Sequence, residues 1–424
     1  MLTHEASSAA GLSGLPPVEV LSRWPQHVGL AAWWSGEPNS ERRYTVLAVP
    51  GERVDAIVPP PRRPCVPGPP RGGWIGVLGY ELGNEFEPRA GCRRGDWPRA
   101  MWVRWDDAWV FDHEARAWSR VGNPPEPGRP GPGWFHASGR RGVGAQDYAE
   151  RVARVVEYIR AGDVYQANIA HRLEWDFSGS ARGLFAALAK AAPRHGAYLE
   201  WDAEGERRAL VSASPELFLS FDAESRRLVT RPMKGTRRAG PGAAEALRHS
   251  TKDRAELAMI VDLMRNDLGR VCEIGSVRVE QERTLEVHAS GGLLQTTATV
   301  GGRLAAGRSL EDALRAMFPC GSVTGAPKIR AMQIIDELEP VGRGPYCGSL
   351  GLITDVGDAE LSVAIRTALV RGGRGPGRGD VARGTLQYSV GAGIVAESDP
   401  HGEWLETLDK AGVIEAALRA GAGW

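Results

Sequence analysis

The stretch Val164-Tyr-Gln-Ala-Asn-Ile-Ala-His-Arg-Leu-Glu-Trp175 indicates the fold, because its alternating apolar residues predict a β-strand with one face on a core. The residues on that face are Tyr165, Ala167, Ile169 and Leu173. The opposite face presents two amides, those of Gln166 and Asn168. The polar groups of this strand are therefore expected on one side of a sheet.

On both sides of this strand the sequence predicts further strands and several long helices. Asp147 is expected to cap a helix that ends at Gly162, and Pro327 is expected to begin a helix that reaches residue 338. Two more helices are predicted over residues 251–271 and 399–420. The other strands are predicted at residues 44–49, 74–80, 101–111, 210–221, 227–233, 351–354, 360–370 and 386–395. Strand hairpins grouped with long helices predict an α+β fold, not a regularly alternating parallel sheet.

Three stretches rich in proline, glycine and arginine are expected to be loops or linkers. They are residues 58–73, 122–146 and 371–384. The third lies between two predicted strands, so we expect a long hairpin loop there.

The composition excludes several classes of protein. The 424 residues carry no net charge and have a pI of about 7.1, which does not indicate a nucleic-acid partner. No apolar run approaches the roughly 18 residues that a membrane span needs, and residues 1–12 do not resemble a signal peptide. The cysteines are scattered and never form a CxxC pair, which favours a reducing compartment. A soluble cytoplasmic enzyme is therefore expected.

Lysine is rare in this chain, with five residues among the 52 basic ones. A lysine amine can lose its proton and act as a nucleophile, whereas a guanidinium cannot. Lys234 follows a predicted strand in Arg231-Pro-Met-Lys-Gly-Thr236. It is either a salt-bridged loop lysine or a nucleophile whose pKa is lowered by burial or by a neighbouring cation.

Carboxylates share one face of each of two predicted helices. Glu403, Glu406 and Lys410 lie on one face of the last helix, and Asp253 and Glu256 lie together on the helix at residue 251. The other side of the last helix carries Trp404, Leu405, Leu408 and Ile414. The two acidic faces could meet around a hard cation such as Mg²⁺, or each could be a solvated helix face.

Three further features have both a functional and an ordinary interpretation. Arg366 lies among small side chains, where it holds a carboxylate in a recess or lies in solvent at a sheet edge. Glu216 is either a general acid or an exposed strand carboxylate. Gly391-Ala-Gly393 and residues 321–328 could present backbone N–H groups to an anion or could be ordinary turns. Residues 321–328 do not match a nucleotide P-loop.

Together these segments resemble the chorismate-utilising enzymes, which include anthranilate, aminodeoxychorismate, isochorismate and salicylate synthases. The resemblance covers residues 146–424 in order and spacing. Its motifs are Asp163-Val-Tyr-Gln-Ala-Asn168, Ser212-Ala-Ser-Pro-Glu216, Pro232-Met-Lys-Gly-Thr236, Ala255-Glu-Leu-Ala-Met259, Asn266-Asp-Leu268, Gly325-Ala-Pro-Lys328, Ile365-Arg-Thr-Ala368, Gly391-Ala-Gly-Ile-Val395 and Glu403 with Lys410. A segment nearer the N-terminus, Gly72-Gly-Trp-Ile-Gly-Val-Leu-Gly-Tyr-Glu-Leu-Gly83, resembles the aminodeoxychorismate branch.

The resemblance implies a fold and a division of the chain. The fold is a β/α sandwich of large antiparallel sheets packed with helices, as in the first component of anthranilate synthase. Residues 1–125 would contribute strands and a candidate regulatory pocket, 126–145 would be a linker, and 146–424 would form the chorismate-binding catalytic domain. The leucine-serine motif of the tryptophan pocket in many relatives is not recognisable near the N-terminus.

The resemblance also implies roles for single residues. Glu256 and Glu406 match the family's Mg²⁺ ligands, with Glu403 and Asp253 nearby. The glycines Gly391 and Gly393, with Lys410, match the site for the ring carboxylate of chorismate, and Ser322 is expected to contact the substrate too. Tyr346 and Arg366 match the pair that holds the enolpyruvyl carboxylate. Glu216 matches the general acid that protonates the departing C4 hydroxyl.

Three positions favour the aminodeoxychorismate branch. Lys234 matches the lysine thought to attack C2 there, where anthranilate synthases typically have alanine. Gln166 takes the place of the water-activating lysine of isochorismate and salicylate synthases, so hydration at C2 is disfavoured. Gln295 takes the place of a histidine near the C2 proton in anthranilate synthases, and glutamine cannot act as that base.

The expected activity is a transaminase-type amination of chorismate that yields 4-amino-4-deoxychorismate, for p-aminobenzoate and folate or for a specialised metabolite. Neither Cys92 nor Cys320 has the Gly-x-Cys-x-Gly setting of a glutamine amidotransferase, so ammonia should come from a separate subunit or from solution. Two alternatives stay open. They are the first component of anthranilate synthase and a catalytically silent chorismate-binding subunit.

Overall fold

The computed structural model describes residues 10–35, 43–60, 69–91, 93, 95–131, 133–191, 193–238, 240–288 and 293–421. Its strands are β1 (Ala31–Trp34), β2 (Tyr44–Ala48), β3 (Arg53–Val54), β4 (Gly73–Leu78), β5 (Ala100–Trp105), β6 (Ala108–Asp112), β7 (Ala117–Val121), β8 (Phe135–Gly142), β9 (Gln166–Ser180), β10 (His195–Ala203), β11 (Glu206–Ser214), β12 (Leu217–Asp222), β13 (Arg227–Arg231), β14 (Met233–Arg238), β15 (Arg278–His288), β16 (Leu293–Arg303), β17 (Gly325–Ala326), β18 (Ser349–Thr354), β19 (Ala359–Val363), β20 (Thr367–Arg374) and β21 (Asp380–Ile394). Its helices are α1 (Pro17–Ser22), α2 (Gly83–Phe86), α3 (Ala145–Arg160), α4 (Ala181–Ala189), α5 (Ala243–His249), α6 (Thr251–Gly269), α7 (Leu310–Met317), α8 (Lys328–Leu338) and α9 (Pro400–Gly421).

The strands form two large antiparallel sheets. The first has the order β17-β9-β21-β20-β11-β10-β1-β2-β6-β7, with β8 also paired to β9. The second has the order β14-β16-β13-β12-β19-β18-β4-β5-β3, with β15 also paired to β16. The predicted α+β fold with large antiparallel sheets is confirmed.

Three apolar clusters hold the layers together. One lies between the sheets and joins Trp33 of β1, Ile75 of β4 and Leu350 of β18. A second packs the first sheet against α1, α4 and α9. The third packs the second sheet against α6, α7 and α8. Because each sheet is apolar on both faces, the structure is a two-sheet sandwich with helices outside.

The most consequential difference from the prediction is that two segments, each predicted as one strand, form two strands that belong to different sheets. The segment 210–221, predicted as one strand, is β11 in the first sheet and β12 in the second, separated by Pro215 and Glu216. The segment 360–370 is likewise β19 and β20, separated at Arg366, whose φ is 51°. The predicted strand 101–111 also divides, into β5 and β6 of different sheets.

The two crossings coincide in space. β11 pairs with β20 and β12 pairs with β19, so both hairpin partners change sheets together. Backbone bonds from Ala213 N to Arg366 O and from Val363 N to Glu216 O, both 3.0 Å, hold the two crossings against each other. The exchange opens the sandwich at Glu216 and Arg366.

Several smaller predictions differ at their edges. Asp147 does not cap α3, which begins after Gly144 without a side-chain cap and ends at Arg160. Strand β8 lies inside the stretch expected to be a loop, and the hairpin loop expected at 371–384 shrinks to residues 375–379. Tyr165 precedes β9 and is 72% exposed, because the strand begins only at Gln166.

Helix α9 buries the expected apolar side only in part. Ile414 is buried as predicted, but Leu405 is 49% exposed, and Glu403 and Thr407 are buried too. The carboxylate of Glu403 therefore points toward the sheet, where it accepts a hydrogen bond from Ser398 Oγ at 2.6 Å.

The N-terminal strands belong to both sheets. β1, β2, β6 and β7 extend the first sheet, and β3, β4 and β5 extend the second. A cavity of about 540 Å³ there is lined partly by Trp33, Tyr44 and Phe221. The regulatory role of this region, and the division at residues 125 and 146, stay predictions. In the part of the chain that the structure describes, no helix has the length and apolar character to cross a membrane.

Candidate active site

A cavity of about 350 Å³ opens where the two strands change sheets. Every residue predicted for the site lines it except Glu403. Those that do are Glu216, Lys234, Asp253, Glu256, Ser322, Tyr346, Arg366, Gly391, Gly393, Glu406 and Lys410. Residues far apart in sequence thus meet in one site, and their individual roles stay predictions.

One end of the cavity carries an arginine without a counterion. Arg366 has no ion pair or side-chain hydrogen bond with any residue that the structure describes. Burial lowers the pKa of its guanidinium, and the nearby phenol of Tyr388 acts in the opposite direction. A partly buried cation without a partner favours an anion, and a guanidinium suits a carboxylate.

Arg366→Ala is expected to raise KM for a carboxylate substrate roughly a hundredfold, since removing one partner of a buried ion pair costs about 3 kcal/mol or more. Steady-state kinetics give the result. Arg374→Ala is the control, because Arg374 lies on β20 with its side chain 56% exposed, near Asp202. An unchanged KM in Arg366→Ala would remove Arg366 from the site.

Another wall of the cavity is an open strand edge. Strand β21 pairs with β9 on one side as far as Ile394. On its other side it pairs with β20 only as far as Tyr388. The edge of β21 beyond Tyr388 therefore faces the cavity without a partner strand among the described residues. A Cβ atom at Gly393 would lie 2.5 Å from Gln166 Nε2 and 3.2 Å from Lys234 Nζ, so a larger residue would displace these two side chains. The backbone of Gly393 can come close to a bound anion.

Glu216 has the properties of a general acid. Burial raises the pKa of its carboxyl to about 7, while a hydrogen bond with Ser322 and the charge of Lys234 act in the opposite direction. Its backbone N–H donates to Ser214 Oγ at 3.2 Å, which fixes the turn after Pro215. Its Oε1 atom has no hydrogen-bond partner in the described part of the chain. A carboxyl that is half protonated near neutral pH can give a proton to a leaving group.

Lys234 lies on β14 at an irregularity in its pairing with β16. Its Nζ atom donates to the carbonyl oxygen of Ser322 at 3.3 Å, and Asn168 Nδ2 donates to the same oxygen at 2.8 Å. Burial lowers the pKa of Lys234, while the carboxylates of Glu256 and Glu216 act in the opposite direction. Because no described carboxylate forms an ion pair with it, the salt-bridged alternative does not hold.

The acidic wall joins helices α6 and α9. Lys252 lies between them, with its Nζ 3.9 Å from Glu256 Oε1 and 3.5 Å from Glu403 Oε1. Burial raises the pKa of Glu256. The ammonium of Lys410, 2.7 Å from Glu406, lowers the pKa of Glu406. Asp253 and Glu256 of α6 and Glu406 of α9 all line the cavity, so the two faces lie together there, with the Glu406 side chain 51% exposed.

The acidic wall suits a hard cation. Within the described ranges no three or more His, Cys, Asp or Glu residues cluster closely enough to hold a metal by themselves. Mg²⁺ does not need such a cluster, because it usually takes one or two carboxylates together with waters and the substrate. Glu256 and Glu403, which already share the ammonium of Lys252, offer oxygen ligands of the kind that Mg²⁺ prefers.

Sequence reasoning missed Lys252, Arg343 and Tyr388. Lys252 could have been found, because it is one of only five lysines. Arg343 is buried and donates to Val323 O and Asn168 O, both at 3.0 Å, and it pairs with Glu339 at 2.6 Å. It thereby fixes two walls of the cavity, but nothing in the sequence distinguishes it from the many other arginines.

The fold and the cavity define an enzyme-like site. It brings together a guanidinium that suits a carboxylate, a buried carboxyl group and an amine. The chain matches the chorismate binding enzyme family over residues 51–416, and it belongs to that family. Anthranilate synthase component 1 of Streptomyces coelicolor is 38% identical over 397 residues, 84% of this chain and 74% of that protein. Aminodeoxychorismate synthase component 1 of Klebsiella aerogenes is 37% identical over 362 residues, 80% of this chain and 75% of that protein.

A solved structure shows the same fold. Anthranilate synthase component I from Streptococcus pneumoniae superposes with a TM-score of 0.73 at 24% sequence identity, covering 89% of this chain and 93% of that chain. Because relatives named for two different activities are about equally similar, overall identity does not decide between the branches.

Proposed function

We propose that this protein is the first component of an aminodeoxychorismate synthase, which converts chorismate and ammonia to 4-amino-4-deoxychorismate. The observation that carries this proposal is the amine of Lys234, which has no ion pair with a described carboxylate, in the cavity that contains Glu216. Anthranilate synthases, which aminate C2 directly, have no use for such an amine.

Two groups of residues bind the substrate. Arg366 and Tyr346 hold the enolpyruvyl carboxylate at one end of the cavity. The backbone of Gly391 and Gly393, with Lys410, takes the ring carboxylate at the other end. Lys410 Nζ donates to Gly391 O at 2.8 Å, so its charge lies next to the open strand edge. Fixing both carboxylates orients C2 and C4 of the ring between them.

The chemistry then needs an amine and an acid. The deprotonated form of the Lys234 amine, which burial favours, forms a bond to C2, the ring double bonds shift, and the C4 hydroxyl leaves as water with the proton of Glu216. Ammonia next attacks C4, the double bonds shift back, and the C2–N bond to Lys234 breaks. Lys234 loses one proton when the bond forms, and this proton restores the one that Glu216 gave to the leaving water. When the C2–N bond breaks, Lys234 regains a proton from the ammonium nitrogen formed at C4. The net reaction exchanges a hydroxyl group for an amino group, with water as the other product.

Mg²⁺ held by Glu256 with Glu403 or Glu406 would neutralise charge on the ring carboxylate. Glu256→Gln is expected to lower activity roughly a hundredfold and to weaken Mg²⁺ binding, since an amide is a poor ligand for a hard cation. Titration of activity and of bound Mn²⁺ gives both results. Asp262→Asn is the control, because Asp262 lies on α6 with its side chain 79% exposed. Normal metal affinity in Glu256→Gln would exclude Glu256 as a ligand.

The ammonia donor is proposed to be a separate glutamine amidotransferase subunit. The relatives are named as component 1, which implies a second component. Cys320 and Cys347 are buried, and burial raises the pKa of each thiol to about 12, so neither suits glutamine hydrolysis. Cys65 and Cys92 lie outside the described residues.

Product analysis tests the function. Chorismate, Mg²⁺ and ammonium are incubated with the protein, with and without an added aminodeoxychorismate lyase. We expect 4-amino-4-deoxychorismate alone and p-aminobenzoate with the lyase. Anthranilate as the product would favour the other branch, and no turnover would favour a silent subunit.

A further inference from the structure

Tyr388 is a buried tyrosine of the cavity that the proposed mechanism does not use. It lies on β21 directly opposite Ala368 of β20. Ala368 is two residues after Arg366, which immediately precedes β20. Its ring is 2% exposed and packs in the apolar cluster between the first sheet and the helices. Its hydroxyl has no hydrogen-bond partner among the described residues. Buried polar groups are normally paired, and this phenol lines the cavity, so its hydroxyl can bond to a group bound there.

The register places Tyr388 beside Arg366. β20 begins at Thr367, and Tyr388 is the last residue of β21 that pairs with it, so this tyrosine lies where the strand edge opens. Both residues line the cavity. Arg366 lowers the pKa of the Tyr388 phenol, although burial outweighs this effect and raises the pKa. The phenol therefore stays protonated near neutral pH and can donate a hydrogen bond.

Tyr346, the tyrosine expected to work with Arg366, has other neighbours. The Arg343 guanidinium lies 5.9 Å from the centre of its ring, and its hydroxyl interacts with Cys347. The titratable group that influences the pKa of Arg366 is the phenol of Tyr388. Arg366 and Tyr388 are thus two donors without acceptors at one end of the cavity, which matches the two oxygens of a carboxylate.

We propose that the hydroxyl of Tyr388 donates a hydrogen bond to the side-chain carboxylate that Arg366 binds, so that Tyr388 selects substrates with a second carboxylate. This inference rests on the proposed function, because it takes chorismate as the substrate. It adds a specificity-determining residue that interacts with the substrate alongside Arg366.

Tyr388→Phe tests the inference, because it removes the hydroxyl and keeps the buried ring. We expect KM for chorismate to rise about tenfold or more, as for a lost hydrogen bond to a charged group, with kcat changed less than about twofold. Calorimetry with two probes isolates the carboxylate. 3-(Carboxymethoxy)benzoate carries both carboxylates, and 3-methoxybenzoate lacks the second one. We expect the variant to bind the first probe about tenfold more weakly and the second probe normally.

Two further variants complete the design. Arg366→Ala combined with Tyr388→Phe should bind the first probe little more weakly than Arg366→Ala alone, because the two donors share one carboxylate. Tyr158→Phe is the control, since its hydroxyl bonds to Glu337 at the surface. Equal weakening of both probes, unchanged binding, or selective weakening by Tyr346→Phe in place of Tyr388→Phe would overturn the inference. Probe binding is measured without turnover. If anthranilate were the product, the proposed function would be refuted, but the calorimetric comparison of the two probes would still test the role of Tyr388.

Discussion

Lys234→Ala is expected to reduce C4 amination by roughly 10³-fold or more, which is the scale seen when an enzyme loses its nucleophile. The substrate carboxylates and the acidic wall keep their binding groups, so chorismate should still bind. Ammonia could then attack C2 directly, and any residual product should be aminated at C2. Gln295, buried in the same cavity, offers no base for the C2 proton, so that product should become aromatic slowly. Chromatography of the products from chorismate and ammonium measures both effects.

Mass spectrometry gives a direct view of the proposed bond. Wild-type protein trapped with chorismate before ammonia is added should carry an adduct on the peptide that contains Lys234. Lys190→Ala is the matched control, because Lys190 is one of the other four lysines and is exposed at the end of α4. C4 amination at the wild-type rate in Lys234→Ala would refute the nucleophile and the main reason for choosing this branch.

Glu216→Gln is expected to lower kcat by roughly 10²–10⁴-fold, the usual contribution of a positioned general acid. Burial raises the pKa of Glu216 to about 7, so its protonated fraction falls as the pH rises through that value. The wild-type rate should therefore decline above about pH 7. In Glu216→Gln the remaining rate should not decline there, because glutamine does not titrate.

A pH series of kcat for both proteins measures this difference. Glu224→Gln is the control, since Glu224 is exposed in the turn after β12 and should keep the wild-type profile. If Glu216→Gln retained the decline near pH 7, another group would be responsible for it, and the assignment of Glu216 as the acid would fail.

Local signals in the sequence determined the elements with strong periodicity. The alternation around residues 166–175 predicted most of β9, and the apolar stripe after residue 251 predicted α6, which Ser250 caps through the backbone N–H of Asp253. These features depend on the chain's own period and capping chemistry, so they can be read without the fold. The same holds for rare residue types, since five lysines among 52 basic residues directed attention to Lys234.

The place where a strand changes sheets was decided only by the tertiary structure. Segment 360–370 has the composition of a continuous strand, and nothing local requires a break at Arg366. In segment 210–221, Pro215 is a local signal for an interruption, but it does not tell that the chain enters a different sheet there. The breaks exist because β11 and β12 each follow a partner strand, β20 and β19, into a different sheet. This exchange turns two ordinary strand residues into the walls of a cavity.

The sequence by itself therefore determined the fold class, the family resemblance and eleven of the residues that line the cavity, since each depends on residue type and spacing. The tertiary structure decided their chemistry. The raised pKa of Glu216 and the lowered pKa of Lys234 come from burial among segments distant in sequence. The ammonium of Lys252 between Glu256 and Glu403, and the unpartnered hydroxyl of Tyr388 near Arg366, likewise exist only after the sheets and helices have packed. The burial of a side chain and its hydrogen-bond or ion-pair partners depend on how the whole chain packs, so no single segment encodes them.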